Sequence, residues 1–255
     1  MDEKITHSKD VIRHGIDRYK DRIAVSCSWG KDSLVLLDLA LQVDPTVPVF
    51  SLLTVYKPKE TYEFVPLVIK HYNIHPRIYM VADAIPPILK HHDVPVILLP
   101  ADDYKRAEEH SGRTTGHKLY VSDPQRCCDL LKVAAKEYAI KDMKLEAWFS
   151  GLRNTEGQTR LTATEIEAVS PIETKINPLL TWTEQEIWQY ITTNNLPIHP
   201  WYKKVFPDGR RIRSLGCEPC TVPVFDYESE RDGRWRNTKK QAGECGIHTR
   251  KDEGP

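Results

Sequence analysis

The sequence lacks any long hydrophobic run. Across its 255 residues, no apolar segment approaches the roughly 20 residues that a membrane-spanning helix needs. The first residues, Met1–Lys4, do not open an apolar core of the kind found in secretory signals. These absences predict a cytoplasmic protein with no membrane partner.

The sequence also lacks net charge, because Lys+Arg and Asp+Glu are equal at 36 each. No global field then steers it toward nucleic acid, and we expect no nucleic-acid partner. The balance is uneven locally. Lys203–Arg213 holds five basic residues against one acidic residue, and Arg231–Arg250 holds six against two. Such segments form either a solvated basic face or a site for a small anion.

The sequence has no internal repeat or low-complexity tract, and apolar segments alternate with amphipathic ones. Predicted strands cover Arg22–Ser26, Val47–Leu53, Ile78–Val81 and Lys144–Ser150. Predicted helices cover Asp32–Val43, Glu60–His71, Ser122–Tyr138 and a segment from a capping box at Thr183–Glu186 to about Thr193. The apolar run Val94–Leu99 is consistent with either element.

This alternation predicts an α/β fold with a doubly wound, mainly parallel sheet and helices on both faces. Beyond Pro200 the periodicity gives way to proline, glycine and charge, which predicts a loop-rich, mobile C-terminal tail. We expect a domain over residues 1–200 and a C-terminal segment over residues 201–255.

The sequence has few cysteines, six in total, and most of them occur in pairs. The adjacent pair Cys127-Cys128 and the Cys-x-x-Cys pair Cys217 and Cys220 supply four thiolates, the full complement of one metal site. Cys245, in a basic tail, is left free to act as a nucleophile. Cys27 is interpreted as a small packing residue.

The cysteine pairs allow three interpretations. Adjacent helical side chains diverge by about 100°, because 3.6 residues make one turn. A cubane has separate iron corners and tolerates that divergence, which favours a [4Fe-4S] cluster. A structural zinc ion and plain buried or redox cysteines are the alternatives.

Residues Ser26–Ser33 join the first predicted strand to the first predicted helix. Backbone amides at such a helix start form an anion site, to which hydroxyl groups and a lysine are added here. The alternative is an ordinary turn capped by Ser and Asp. The segment lacks the Walker spacing and resembles the pyrophosphate loop of the adenine-nucleotide α-hydrolase superfamily, with Trp29 where that family has glycine.

Further motifs give a specific resemblance over about residues 21–248. They are Cys127-Cys128 with Lys132, Ser150–Arg153 with Thr159-Arg160, Ile176–Leu179 with Trp182, Ser214–Thr221, Glu230–Trp235 and Glu244–His248. Together they are similar to the assimilatory adenylyl-sulfate (APS) reductases, the iron–sulfur branch of the phosphoadenylyl-sulfate (PAPS) reductase family.

The resemblance implies reduction of APS, or of PAPS, to sulfite and AMP (or PAP) in sulfate assimilation for cysteine biosynthesis. A Cys245 thiolate would attack sulfur, and thioredoxin or a similar dithiol would release sulfite from the thiosulfonate. The implied catalytic residues are Cys245, Lys132, Arg231, Arg234 and His248. The implied substrate-binding residues are Ser26, Ser28, Gly30, Lys31, Asp32, Ser33, Thr54, Arg153 and Arg160. The implied cluster ligands are Cys127, Cys128, Cys217 and Cys220.

Two other functions are weighed against this one. An ATP pyrophosphatase, such as an ATP sulfurylase subunit or a nucleic-acid sulfur-insertion enzyme, would share the phosphate loop but gives no reason for the Glu-Cys-Gly-Ile-His tail. A non-catalytic nucleotide- or zinc-binding regulator would give Cys245 no catalytic role. The chain departs from the resembled family at Val222, at Arg236-Asn237 and at Pro207–Arg213, and a homo-oligomer is compatible with the sequence.

Overall fold

The computed structural model describes residues 1–240. Cys245 and His248, two of the predicted catalytic residues, lie outside the described residues. The described residues divide into two compact units, each built from two stretches of chain. The first unit comprises Met1–Ser51 and Ala139–Ile198, and the second comprises Leu52–Tyr138 and the segment from residue 199 to residue 240.

The seven strands are β1 Ile23–Ser26, β2 Val49–Leu53, β3 Arg77–Val81, β4 Val96–Leu99, β5 Ala147–Phe149, β6 Ile166–Ser170 and β7 Glu173–Ile176. The α-helices are α1 Asp2–Tyr19, α2 Lys31–Val43, α3 Lys59–Tyr72, α4 Pro87–His91, α5 Asp102–Thr115, α6 Leu119–Ser122, α7 Pro124–Cys128, α8 Ala134–Asp142 and α9 Glu184–Thr193.

In the first unit the strands lie in the order β2-β1-β5-β7-β6. Strand β1 is parallel to both β2 and β5, β5 is parallel to β7, and only β6 is antiparallel to its neighbour β7. Strand β1 is almost wholly buried, as expected of a central strand covered on both sides. The prediction of an α/β fold with a mainly parallel sheet is confirmed.

Helix α1 packs closely on this sheet. A Cβ placed on Gly15 would lie 2.7 Å from the ring of Phe149 in β5, so the backbone approaches the strand at a distance that only glycine permits. The hydroxyl of Ser8 donates to the carbonyl of Pro178 at 2.7 Å and accepts from the indole Nε1 of Trp182 at 3.0 Å. These polar contacts fix α1 against the segment that precedes α9.

In the second unit, β3 and β4 are parallel, which assigns the ambiguous run Val94–Leu99 to a strand. The predicted helix over Ser122–Tyr138 is observed as α7 and α8 with a π-helical segment, Asp129–Val133, between them. Residues 201–240 contain only short 3-10 turns and isolated bridges, in agreement with the predicted loop-rich segment. The domain boundary at residue 200 stays a prediction. Among the described residues, no helix combines the length and the apolar character that a membrane span requires.

Candidate active site

The predicted phosphate loop connects β1 to α2 in the first unit. Gly30 is the N-cap of the 13-residue helix α2, and the Cys27 amide donates to the Phe50 carbonyl at 2.9 Å. The Ser33 hydroxyl donates to the Gly30 carbonyl at 2.9 Å, and the Ser28 hydroxyl donates to Ser33 Oγ at 3.2 Å. The loop is therefore held by its own hydroxyl groups at the positive end of a helix, as an anion site requires.

Trp29 takes up a strained position in this loop. Its φ angle is 66°, in the left-handed region that favours glycine, and its side chain is fully buried. Its indole Nε1 has no hydrogen-bond partner among the described residues. The side chain of Trp29, which stands where the resembled superfamily has glycine, therefore points into the protein interior and not into solvent.

Asp32 lies between two buried cations. Its carboxylate accepts from Lys31 Nζ at 3.1 Å and from Arg153 Nε at 2.7 Å. Burial alone would raise the pKa of Asp32, but the charges of Arg153 and Lys31 outweigh it and lower the pKa to about 2. The three groups therefore carry one net positive charge at neutral pH.

The segment that follows β5 brings Arg153 to the loop. A Cβ on Gly151 would lie 3.0 Å from the Asp32 carbonyl carbon, so this segment and the start of α2 are in close backbone contact. Arg153 also donates through Nη1 to Thr155 Oγ1 at 2.9 Å and to the Trp182 carbonyl at 3.2 Å. These contacts hold the guanidinium, which is fully buried, in one orientation.

Glu156 organises the two predicted anion-binding arginines. Its buried carboxylate forms an ion pair with Arg160 and accepts from the backbone amide of Arg153 at 3.2 Å. Glu156 was not among the predicted site residues, because its place beside two arginines depends on the 3-10 turns over Asn154–Glu156 and Gln158–Arg160. The acidic residue between two arginines in the sequence was the only available signal.

The second unit brings together all four predicted ligand cysteines. They line one pocket that also includes Thr54, Lys132, Arg234 and Trp235. Cys128, Cys217 and Cys220 form a buried cluster with Trp235, against which Tyr56 and Tyr120 pack. None of the four forms a disulfide bond among the described residues.

Local backbone structure positions these thiols. Helix α7 begins at Pro124 after the N-cap Asp123, and Cys127 and Cys128 are its last two residues, which places them near the start of the predicted helix. The Cys217 carbonyl accepts from Thr221 Oγ1 at 2.8 Å, and Thr54 Oγ1 lies 3.2 Å from Cys217 Sγ. Thr54, a predicted substrate-binding residue, is therefore also in contact with a cysteine.

Two of these thiols, those of Cys127 and Cys217, have pKa values that are shifted in opposite directions. Burial and the neighbouring Cys217 and Cys220 raise the pKa of Cys127 to about 12. Burial would also raise the pKa of Cys217, but the charges of Lys132 and Lys57 outweigh it and lower the pKa. Lys57 is buried and was not predicted as a site residue.

The four cysteines are predicted to hold a metal group, either an iron–sulfur cluster or a zinc ion. Within residues 1–240, no group of three or more His, Cys, Asp or Glu side chains is arranged to hold a single metal ion. The four thiols nevertheless line one buried pocket, and four thiolates are the ligand set of an iron–sulfur cluster or a structural zinc ion. The chemistry of the residues present therefore fits a four-cysteine site.

Two of the predicted catalytic arginines lie around one buried aromatic ring. The guanidinium carbons of Arg234 and Arg231 are 4.7 Å and 5.5 Å from the centroid of Trp235. Arg234 also lines the cysteine pocket together with Lys132. The second unit thus collects three of the five predicted catalytic residues near the cysteines.

Comparison with known proteins identifies a matching family. The family model described as "Phosphoadenosine phosphosulfate reductase domain" matches residues 22–223. The adenosine 5'-phosphosulfate reductase of Halalkalibacterium halodurans is 35% identical over 242 residues, which are 94% of this chain and 91% of the relative. The adenosine 5'-phosphosulfate reductase of Lysinibacillus sphaericus is 30% identical over 249 residues, with coverages of 97% and 93%.

Solved structures show the same fold at lower identity. The phosphoadenylyl-sulfate (PAPS) reductase of Candida auris, in a phosphate complex, matches with a TM-score of 0.62 and 23% identity, covering 84% of this chain and 90% of that one. The FMN adenylyltransferase of Candida glabrata, with FMN and an ATP analogue, matches with a TM-score of 0.58 and 16% identity, covering 94% and 72%.

Proposed function

The chain belongs to the phosphoadenosine phosphosulfate reductase family, and we propose that it is a sulfonucleotide reductase that converts APS to sulfite and AMP. The observation that carries this proposal is the convergence of four cysteine side chains with Lys132 and Arg234 in one pocket. APS is preferred over PAPS because the relatives at 30–35% identity are named for APS. The product would enter sulfate assimilation.

The first step is a nucleophilic substitution at sulfur. The Cys245 thiolate attacks the sulfur of the sulfo group, so an S–S bond forms while the S–O bond to the phosphate breaks. AMP leaves with the electron pair of that bond, and the enzyme carries a thiosulfonate on Cys245. Attack by a thiolate on an anion requires nearby cations, a role that Lys132, Arg231 and Arg234 would serve.

The second step is reduction by a dithiol such as thioredoxin. One thiolate of the dithiol attacks Cys245 Sγ and displaces sulfite, which leaves with the electron pair of the S–S bond. The second thiol of the dithiol then resolves the mixed disulfide and restores the Cys245 thiol. The dithiol loses two electrons, and sulfur(VI) is reduced to sulfur(IV), so the electrons balance.

The loop in the first unit would bind the nucleotide phosphate. Backbone amides at the start of α2 and the Ser28 and Ser33 hydroxyls supply donors. Asp32 cancels one of the two buried positive charges of Lys31 and Arg153, which leaves a single net charge for the anion. The carboxylate of Glu156 likewise cancels the charge of Arg160, with which it forms an ion pair.

The four pocket cysteines would hold a [4Fe-4S] cluster. When bound, such a cluster supplies a compact negative charge that tunes the local field. Lys132 lies one helical turn from Cys128 in the same pocket and would be oriented by that charge. His248, three residues after Cys245 in the sequence, would help to neutralise the negative charge of the substrate.

The test is anaerobic purification followed by assays with APS and with PAPS in the presence of reduced thioredoxin. We expect sulfite and AMP from APS, and without thioredoxin we expect Cys245 to gain the mass of one SO₃ group. Cys245→Ser should form neither sulfite nor the adduct. Full sulfite production by Cys245→Ser would contradict the mechanism, and release of pyrophosphate from ATP without any reductant would identify an ATP pyrophosphatase.

A separate measurement tests the cluster. We expect iron and acid-labile sulfide in stoichiometric amounts and a brown protein. A colourless protein that holds zinc and no iron would contradict the cluster, yet it would leave the Cys245 result to decide the reaction.

A further inference from the structure

Lys240 belongs to a group of three cations around a single aromatic ring. Its Nζ lies 5.0 Å from the centroid of Trp235, whose ring is also approached by Arg234 and Arg231 at 4.7 Å and 5.5 Å. Trp235 is only 2% exposed, so the cations gather at a largely desolvated ring. A cation–π contact attracts each of them to the negative face of the indole.

Two of these cations have a donor for which the described residues supply no acceptor. Arg234 Nε and Lys240 Nζ are buried and have no hydrogen-bond partner among the described residues. Leaving a buried charged donor unsatisfied costs more than an ordinary lost hydrogen bond. A cation–π contact offsets only part of that cost.

The position of the group indicates what could satisfy these donors. Trp235 packs with Cys128, Cys217 and Cys220, and Arg234 lines the same pocket. Like charges repel in this desolvated setting, and an anion bound beside them would reduce that repulsion. An oxyanion with several equivalent oxygens can accept from both a guanidinium and an ammonium group.

We propose that Lys240 binds the sulfate of the sulfonucleotide, together with Arg234. This role rests on the proposed function. Lys240 precedes Cys245 by five residues, a length of chain that spans at most about 17 Å. This short connection allows the thiolate to meet an anion held by Lys240, and the sulfur is the atom that the thiolate attacks.

The experiment measures APS and AMP affinity in a Cys245→Ser background, where the reaction cannot proceed. Lys240→Met removes the charge, and Lys239→Met is the matched control because Lys239 is exposed and adjacent. We expect Lys240→Met to weaken APS binding at least about tenfold, the value of a charge-assisted hydrogen bond. AMP, which lacks the sulfate, should bind equally to both variants, and Lys240→Arg should retain most of the APS affinity.

Three results would overturn this role. Equal APS affinity in Lys240→Met and Lys239→Met would show that Lys240 does not touch the sulfate. Equal weakening of APS and AMP would place it at the nucleotide. Loss of iron with a changed visible spectrum would make the cluster its partner.

Failure of the proposed function looks different. If the Cys245→Ser protein with both lysines intact binds AMP but not APS, the reductase proposal itself fails, and this role of Lys240 fails with it.

Discussion

The guanidinium of Arg234 fills the space that a side chain on Gly216 would need. A Cβ on Gly216 would lie 2.0 Å from Arg234 Nη1, far inside van der Waals contact. Gly216 has no left-handed φ, so its backbone would accept alanine. The glycine before Cys217 is therefore required for the position of Arg234 and not for a turn.

Gly216→Ala is predicted to impair catalysis through Arg234. Arg234 is buried on the Trp235 ring, so it cannot yield to a methyl group without losing that contact. We expect kcat/KM for APS to fall by about 10- to 100-fold, the effect of losing one charge-assisted contact. Steady-state assays of sulfite formation measure this change.

A double-mutant cycle identifies the cause. If Gly216 acts only through Arg234, the pair Gly216→Ala/Arg234→Ala should be no slower than Arg234→Ala alone. Gly112→Ala is the control, because nothing lies within 4 Å of a Cβ at that position. Multiplying effects in the double variant would mean that Gly216 has an independent role.

His199 is predicted to make stability depend on pH. It is fully buried, its Nδ1 accepts from the Trp201 amide at 3.2 Å, and its Nε2 therefore carries the proton and donates to Thr61 Oγ1 at 3.0 Å. Burial and the nearby charge of Lys57 lower its pKa from 6.5 to about 4. Protonation of Nδ1 would point a proton at the Trp201 amide.

The lowered pKa of His199 determines the direction in which stability changes with pH. Between pH 6.5 and about 4 the unfolded state binds more protons, so the stabilisation is complete above pH 6.5 and is lost as the pH falls toward 4. The loss amounts to roughly 3 kcal/mol over this range. Urea unfolding at several pH values should show the slope in the wild type and a reduced slope in His199→Gln. His75→Gln, at an exposed position, is the control, and an unchanged slope in His199→Gln would contradict the assignment.

The sequence predicted the elements whose buried residues are hydrophobic. Strand β1 and helix α2 are rich in buried aliphatic side chains, so periodicity located both within one or two residues. Helix α1 was missed because two of its four buried residues are Ser8 and Gly15, which carry no hydrophobic signal. Helix α5 was missed for the same reason, since it buries only Tyr104 and Ser111.

The site was predictable to the extent that its residues lie in motifs. The four cysteines were placed together from their spacing and from the resemblance, and they do line one pocket. Lys57 could not be predicted, because its charge acts on Cys217, which is distant in the sequence. Glu156 is close in sequence to Arg153 and Arg160, but its burial beside them depends on two irregular 3-10 turns. Periodicity and spacing indicate regular helices and strands, whereas the role of Lys57 depends on a tertiary contact and that of Glu156 on irregular turns.

Glu156→Gln is predicted to destabilise the protein strongly. The substitution keeps the shape but removes the negative charge between Arg153 and Arg160, two buried cations. We expect the free energy of unfolding to fall by about 3 kcal/mol, as when one partner of a buried ion pair is lost. Glu109→Gln, which breaks the exposed pair with Arg113, should cost less than about 0.5 kcal/mol. Similar losses in both variants, measured by urea unfolding, would contradict this role of Glu156.

Trp29→Gly is predicted to lower stability even though it relieves backbone strain. The left-handed conformation of Trp29 costs about 1–2 kcal/mol that glycine would not incur. Its side chain is fully buried, however, and removing a buried tryptophan costs about 3–5 kcal/mol. The net loss should be about 2 kcal/mol in the free energy of unfolding. Lys144→Gly separates the two effects, because Lys144 has a φ of 53° and an exposed side chain, so glycine there should stabilise by about 1 kcal/mol or less. If Trp29→Gly were as stabilising as Lys144→Gly, the Trp29 ring would contribute nothing to the core.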